Sequence, residues 1–339
     1  MKIWYAFLVL VLWGCGPNPD SNTLTNEVDP APKVVPTTNP ELVDPAIAKK
    51  PENAPDLISE PAGAKAFEFP YDLSEPLKTY KMPEELMEIS GIDFEGEGIM
   101  ACVQDEKGNI YHYDLKEKKI VKKSDFGKPG DYEGIALNEK RAFILRSDGK
   151  VLVVDRPFTK KMVHSDFGPY LIPENDGEGL AIHPKTGKLW IACKGPHDQA
   201  TTPGGRMVFE LNPKQLDQSP KPVLEVKQTD IRDFIEAHQL REAHKSFDLF
   251  FSKKQGDQVF QTSDLAIHPE TRNIYLISSA LDKFLAVYSP SGRLLHFDHL
   301  SRKTFPQPEG LCFDDAGNLY IATEGKSEKG KIVKFNAKN

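Results

Sequence analysis

Short apolar stretches separated by polar turns run along most of the chain and predict a protein built mainly of β-strands. Residues 179–182 form one such stretch, residues 184–188 form a turn with Pro, Gly and Lys, and residues 189–192 are apolar again. A further apolar stretch follows at residues 207–211. Strands of this kind, bounded by turn residues, are typical of antiparallel sheets.

The arrangement recurs along the chain, which indicates a repeat architecture. The aligned Gly or Asp positions are 91, 134, 179, 264 and 310, so successive copies lie 43, 45, 85 and 46 residues apart. Four antiparallel strands in a repeat of this length are typical of a β-propeller blade. The five copies begin with Glu88-Ile89-Ser90-Gly91-Ile92, Asp131-Tyr132-Glu133-Gly134-Ile135, Asp176-Gly177-Glu178-Gly179-Leu180, Gln261-Thr262-Ser263-Asp264-Leu265 and Gln307-Pro308-Glu309-Gly310-Leu311.

The one double step sets the blade count. Residues 229–254 carry apolar positions at roughly helical spacing, with Asp230 as a candidate N-cap, and this predicts a helical insertion rather than a hidden blade. The last copy has three strands, and a strand around residues 77–80 could supply the fourth and close the ring. The predicted fold is therefore all-β, a single β-propeller of five blades with a helical insertion, and six blades is the alternative.

The first residues predict export and lipid anchoring. Lys2 precedes an apolar run that ends in Leu12-Trp13-Gly14-Cys15, a stretch too short to span a bilayer. The segment resembles a bacterial lipobox, which implies a signal peptide over residues 1–14 and lipidation of Cys15. Gly16 is not the aspartate that would retain such a protein at the inner membrane. The predicted location is the cell envelope, at the outer membrane if the host is Gram-negative.

Residues 15–65 are rich in Pro, Asn, Thr, Asp, Glu and Lys and lack aromatic residues after the cysteine. Such a composition cannot bury enough apolar surface to offset its chain entropy, so the segment is predicted to be a disordered, lipid-anchored linker. The propeller then occupies residues 66–339.

The net charge limits the expected classes of binding partner, and the positions of the cysteines indicate whether they are paired. The formal net charge is -7 and no basic cluster is visible along the sequence, so a nucleic-acid partner is not expected. The expected partners are the membrane, through the lipid anchor, and an unknown small molecule or protein. Cys102, Cys193 and Cys312 each lie in an apolar strand and are interpreted as buried free thiols.

Polar residues begin each predicted innermost strand. Residues two apart share one face of a strand, so each repeat should direct a pair of them to the same end of the channel. Bringing carboxylates together raises their pKa values unless protons or a cation neutralise them, and calcium accepts about six to eight oxygen ligands. We therefore predict a calcium site; simple hydration of a polar channel is the alternative. The candidate metal ligands are Glu88, Asp131, Glu133, Asp176, Glu178, Asp264 and Glu309.

The second strands end in residues that could rim the same mouth. Arg146, Lys194 and Glu324 are the candidate ligand-binding residues among them. The two basic residues could bind an anionic group or pair with the neighbouring carboxylates. No catalytic residue is predicted, because the chain lacks a Gly-x-Ser-x-Gly elbow, a His-Glu-x-x-His helix and a phosphate-binding glycine loop.

Taken together, the repeats over about residues 67–339 resemble the SdiA-regulated (YjiK-like) propellers, which are distantly similar to calcium-dependent propeller phytases. The resemblance implies an exported, often membrane-tethered propeller with calcium binding. In the fourth repeat, Ser263-Asp264 replaces the usual Glu-Gly. Two functional hypotheses follow: a calcium-binding module that binds or senses a ligand or protein, and, as the alternative, a metal-dependent phosphoric ester hydrolase in which Arg146 and Lys194 clamp the anion.

Overall fold

The computed structural model describes residues 67–325 and 328–338. The predicted signal peptide, the lipidation site at Cys15 and the linker lie outside these residues. No helix within the described part is long and apolar enough to cross a bilayer.

In the described part of the chain, twenty strands form five four-stranded antiparallel sheets, the blades of a five-bladed propeller. Blade 1 contains β2 (Ile89–Gly96), β3 (Ile99–Gln104), β4 (Asn109–Asp114) and β5 (Lys119–Asp125). Blade 2 contains β6 (Tyr132–Asn138), β7 (Arg141–Arg146), β8 (Val151–Asp155) and β9 (Val163–Phe167). Blade 3 contains β10 (Gly177–Ile182), β11 (Leu189–Cys193), β12 (Arg206–Leu211) and β13 (Lys221–Val226).

Blade 4 contains β14 (Thr262–Ile267), β15 (Ile274–Ser278), β16 (Phe284–Tyr288) and β17 (Leu294–His299). Blade 5 is built from both ends of the propeller: β18 (Pro308–Phe313), β19 (Leu319–Thr323) and β20 (Lys331–Phe335) are joined by β1 (Lys78–Lys81). The strand β1 pairs with β20 from Lys78 opposite Lys334 to Lys81 opposite Lys331. This confirms the predicted closing strand and the five-blade count.

The innermost strands β2, β6, β10, β14 and β18 surround the axis, and each contacts the innermost strands of both neighbouring blades. Two glycines show how close this packing is. A Cβ atom on Gly134 would lie 2.7 Å from the Cβ of Leu180, and one on Gly179 would lie 2.7 Å from the backbone nitrogen of Leu265. Such contacts exclude a side chain at these two positions, so axial packing requires glycine in blades 2 and 3.

The predicted insertion is present between blades 3 and 4. It contains α1 (Gln228–Ala237), α2 (Leu240–Ala243) and two 3-10 helices, Lys245–Phe251 and Gly256–Gln258; two more 3-10 helices, Glu84–Leu86 and Pro173–Asn175, lie elsewhere. Ile231 and Ile235 of α1 are buried with Phe247 and Phe250 against blades 3 and 4. The helix begins earlier than predicted, at Gln228, whose buried side chain donates to the carbonyl of Phe260 at 2.8 Å. Asp230 therefore lies in the first turn and is not the N-cap.

The three cysteines of the described region are free and buried, as predicted. Cys102 and Cys312 lie in the core between blades 1 and 5, and Cys193 lies in the core between blades 2 and 3. They contribute to packing in the manner of small apolar residues.

Candidate functional site

The channel end at which the innermost strands begin, here called the mouth, collects the aligned polar residues. All five innermost strands have a register shift at the aligned position. In blades 2 to 5 it is a bulge of one residue, as between Tyr132 and Gly134 in blade 2, and in blade 1 it lies between Ile89 and Ile92. A bulged residue has no direct partner on the next strand, and its side chain is redirected. The bulged residues are Glu133, Glu178, Ser263 and Glu309.

Three glutamates at the aligned position interact electrostatically around the axis. Glu178 is 3% exposed and Glu309 is 7% exposed. Burial, followed by the charges of Glu178 and Asp131, raises the pKa of Glu133 to about 10. Burial also raises the pKa of Glu178 to about 8, and it raises that of Glu309. The surroundings of these three carboxyl groups therefore favour their protonated forms over their ionised forms.

Lys194 partly balances this charge. Its Nζ atom lies 2.6 Å from Oε1 of Glu178 and 3.8 Å from Oδ2 of Asp176. Burial lowers the pKa of Lys194, but the charge of Glu178 and the hydrogen bond to it outweigh burial, so the net pKa is raised and the ammonium is retained. Of the two roles considered for this lysine, the structure shows pairing with carboxylates.

Blade 4 supplies further groups around Glu309. The Ser279 hydroxyl donates to Oε1 of Glu309 at 3.0 Å. The Lys283 ammonium donates to the Ser279 carbonyl. Burial raises the pKa of Glu309, and the charge of Lys194, the Ser279 hydrogen bond and, less strongly, the charge of Lys283 oppose the rise. Sequence reasoning missed Lys283, because it lies just before the third strand of its blade and only the blade packing brings it near the mouth.

The aligned serines have a structural role. Ser90 donates to the carbonyl of Tyr132 at 2.6 Å, and Ser263 donates to the carbonyl of Pro308 at 2.7 Å. Each bond joins the innermost strand of one blade to that of the next. The two serines therefore connect blade 1 to blade 2 and blade 4 to blade 5. The charged groups at the aligned position are the glutamates of blades 2, 3 and 5.

A second group of carboxylates lies beside the first. Asp131 accepts from the Ser147 hydroxyl at 2.5 Å and bonds to Glu133. Asp105, which follows β3, has a pKa raised to about 6 by burial and by the charge of Glu88. Its Oδ1 atom is buried and has no hydrogen-bond partner among the described residues. Asp105 was missed from the sequence, because it lies outside the aligned motif.

Asp264 lies one residue further along its strand than the position aligned with the glutamates. It is 2% exposed, and its carboxylate accepts from the backbone nitrogens of Leu265 at 2.7 Å and Leu311 at 2.6 Å, and also from that of Leu180. It thereby connects the innermost strands of blades 3, 4 and 5. Burial raises its pKa well above the ordinary value, although the three amide bonds oppose the rise.

Asp93 makes a related contact in blade 1. Its Oδ2 atom accepts from the backbone nitrogen of Leu137 in blade 2 at 2.6 Å. Burial raises its pKa to about 7. Asp93 also lines a cavity of about 260 Å³ at the channel end opposite the mouth, where apolar residues of all five innermost strands meet. The channel thus has one carboxylate-rich end and one mainly apolar end.

The other two predicted ligand-binding residues are Arg146 and Glu324. Arg146 donates through Nε to Oδ1 of Asp148 at 2.9 Å, so its guanidinium is engaged outside the glutamate group. The backbone nitrogen of Glu324 donates to the carbonyl of Gln307 at 2.9 Å, which places Glu324 beside the start of β18. Their predicted ligand-binding roles stay predictions.

The ligand atoms available at the mouth suit a hard cation, since most of them are carboxylate oxygens. One of these oxygens, Oδ1 of Asp105, accepts no hydrogen bond within the described part of the chain. Within residues 67–325 and 328–338, however, no three or more His, Cys, Asp or Glu side chains are grouped closely enough to hold a metal ion. Binding of calcium would therefore require these side chains to converge. The predicted set of seven metal ligands stays a prediction.

Comparisons with known proteins show the family of this chain. A family model described as SdiA-regulated matches residues 77–326. A search of curated proteins finds no match. Among solved structures, the Myxococcus xanthus glutaminyl cyclase is 13% identical, with 78% of this chain and 96% of that chain covered and a TM-score of 0.49. A luciferin-regenerating enzyme is 12% identical over 78% and 96% of the two chains, with a TM-score of 0.45.

Proposed function

This chain belongs to the SdiA-regulated family, and we propose that it is an exported, membrane-anchored module that binds calcium at the propeller mouth and holds a ligand or protein there. The anchor in this proposal is a lipid on Cys15, and the location is the cell envelope, at the outer membrane in a Gram-negative host. The family assignment itself specifies neither the ligand nor the anchor.

The observation that carries the calcium proposal is the uncompensated carboxylate oxygen at the mouth. The buried Oδ1 of Asp105 has no hydrogen-bond partner in the described part of the chain. Burial, with a smaller contribution from repulsion among the glutamates, raises the pKa values of Glu133 and Glu178. A divalent cation would lower the free energy of all three ionised groups at once. Lys194 and Lys283 contribute positive charge, but they face a larger number of acidic residues.

Binding is favoured over catalysis by the state of the two basic rim residues. Lys194 is paired with Glu178, and Arg146 is paired with Asp148. A phosphoric ester hydrolase would need both to be available to an anionic substrate. That alternative stays a prediction, and a panel of phosphomonoesters assayed with calcium tests it: metal-dependent turnover would replace the binding proposal, and no turnover with calcium bound would remove the hydrolase.

The direct test is calorimetric titration of calcium into the chelator-treated full chain. We expect saturable binding that the Glu133→Gln, Glu178→Gln double variant weakens at least tenfold, equivalent to about 1.4 kcal/mol. The matched control is Glu236→Gln, Glu242→Gln, which removes the same charge from exposed positions of the insertion. Equal loss in both variants, or no binding by the unaltered chain, would contradict the calcium proposal.

A further inference from the structure

A second candidate site lies on the face opposite the mouth, here called the turn face, where the first and second strands of each blade are connected. A cleft of about 980 Å³ separates the turns of blades 2 and 3 there. This volume is at the upper end of the range of ligand pockets, about 300 to 1,000 Å³. Five basic residues line it, Lys140, Arg141, Arg156, Lys188 and Lys214, against two acidic residues, Glu139 and Asp155.

Three of these cations are available to a ligand. Arg141 pairs with Asp155 at 2.6 Å, and Lys188 pairs with Glu210. Lys140, Arg156 and Lys214 are exposed, and none of them forms an ion pair within the described part of the chain. The positive charge of the cleft is unexpected in a chain whose formal net charge is -7.

The backbone fixes the positions from which these side chains extend. The backbone nitrogen of Arg156 donates to the carbonyl of Lys140 at 2.8 Å, which holds the turns after β6 and β8 together. Arg156 has a φ of 52°, a left-handed conformation that is uncommon for arginine. Across the cleft, the backbone nitrogen of Lys214 donates to Oδ1 of Asn212 at 3.0 Å. The three cations therefore extend from ordered turns of two blades.

We propose that this cleft binds a compact, multiply charged oxyanion of the phosphate class. The Arg156 guanidinium can bind two oxygens of one phosphate group through its forked N–H donors, while Lys140 and Lys214 contribute point charges. A compact anion fits better than a long polyanion, because Glu139 and Asp155 border the cations and would repel an extended chain of negative charge. The site is at the other end of the propeller from the mouth and does not depend on calcium.

The phosphate group could belong to a soluble molecule or to a lipid headgroup. The described chain enters the propeller on this same face, where the Tyr71 hydroxyl donates to the carbonyl of Gly317 in the turn between β18 and β19 at 2.6 Å. The two sources share one chemistry, and two arms of the experiment distinguish them.

The experiment uses the full chain with Cys15→Ser, so that no lipid is attached at that position. In the first arm, inorganic pyrophosphate is titrated by calorimetry. In the second, cosedimentation with phosphatidylglycerol vesicles is measured against phosphatidylcholine vesicles. We expect saturable binding in at least one arm, weakened at least tenfold by Lys140→Gln, Arg156→Gln, Lys214→Gln together. The matched control, Lys227→Gln, Lys245→Gln, Lys253→Gln, removes three cations elsewhere and should bind as the unaltered chain does.

Each outcome decides the proposal. Pyrophosphate binding that only the cleft variant loses supports a soluble phosphate ligand, and vesicle binding that only this variant loses supports a headgroup. Absence of binding in both arms, or the same loss in the control variant, would overturn the proposal. Thermal unfolding of both variants checks that they are folded. If the triple cleft variant is not folded, single substitutions of Arg156 and of Lys214 are used in its place.

Discussion

Replacement of Asp264 tests whether this residue connects the blades, as its contacts indicate. Its carboxylate accepts backbone N–H groups from Leu180, Leu265 and Leu311, which belong to three neighbouring innermost strands. In Asp264→Ala these buried donors lose their acceptor. Each unsatisfied donor costs about 1–3 kcal/mol, and removal of a buried carboxylate returns part of that free energy. We expect a net loss of about 3 kcal/mol.

The assay is unfolding of the full chain by urea and by heat. For a protein of this size, a loss of about 3 kcal/mol corresponds to a decrease in Tm of roughly 6–12 °C. Asp264→Asn retains one acceptor oxygen and should lose less, about 2 kcal/mol. The control is Asp248→Ala. Asp248 forms an exposed ion pair with Arg241 at 2.6 Å, and loss of this pair should reduce the free energy of unfolding by less than about 1 kcal/mol.

The reasoning would be refuted if Asp264→Ala were no less stable than Asp248→Ala. A second readout separates the structural role from the predicted metal role of Asp264. If the carboxylate only connects blades, Asp264→Asn should bind calcium within about threefold of the unaltered chain, a difference of less than about 0.7 kcal/mol. A loss as large as that of the Glu133, Glu178 double variant would instead assign Asp264 to the cation.

Two further predictions concern the acidic groups and the anchor. Without calcium, the free energy of unfolding should decrease as the pH rises from about 5 to about 8. The pKa of Asp93 is raised to about 7 in the folded state, so the folded protein holds a proton there that the unfolded chain has already released. The expected decrease from this group is about 2 kcal/mol, measured by urea unfolding at both pH values. Unchanged or rising stability would contradict it. In a bacterial host, Cys15→Ser should move the chain from the membrane fraction to the soluble fraction, as followed by immunoblotting after carbonate washing; retention in the membrane would exclude a lipid on that thiol as the anchor.

The axial positions show how far the repeat could predict the site. Alignment of the five copies identified Glu133, Glu178 and Glu309, and the structure brings their charges together. Asp105 and Lys283 could not be found in the same way, because they lie outside the aligned motif and reach the mouth only when neighbouring blades pack. The β-bulges were also not predicted, although they place the glutamates, since a bulge depends on the register of two strands.

The sequence alone determined the features that depend on short stretches of chain. Strand-length apolar runs and turn residues at regular spacing specified the blades, helical spacing specified the insertion, and the three-strand final repeat indicated that an N-terminal strand closes the ring. These signals are local, because strand alternation, turn chemistry and helical periodicity each act over a few residues.

Only the tertiary structure decided which charges meet. Lys194 pairs with Glu178, Asp264 bonds to strands on both sides of its own blade, and Lys140, Arg156 and Lys214 come together from separate turns of two blades. In the sequence these three basic residues are spaced too widely to form a visible cluster. Electrostatic interaction depends on distance and burial in space, and neither is fixed until the blades close around the axis.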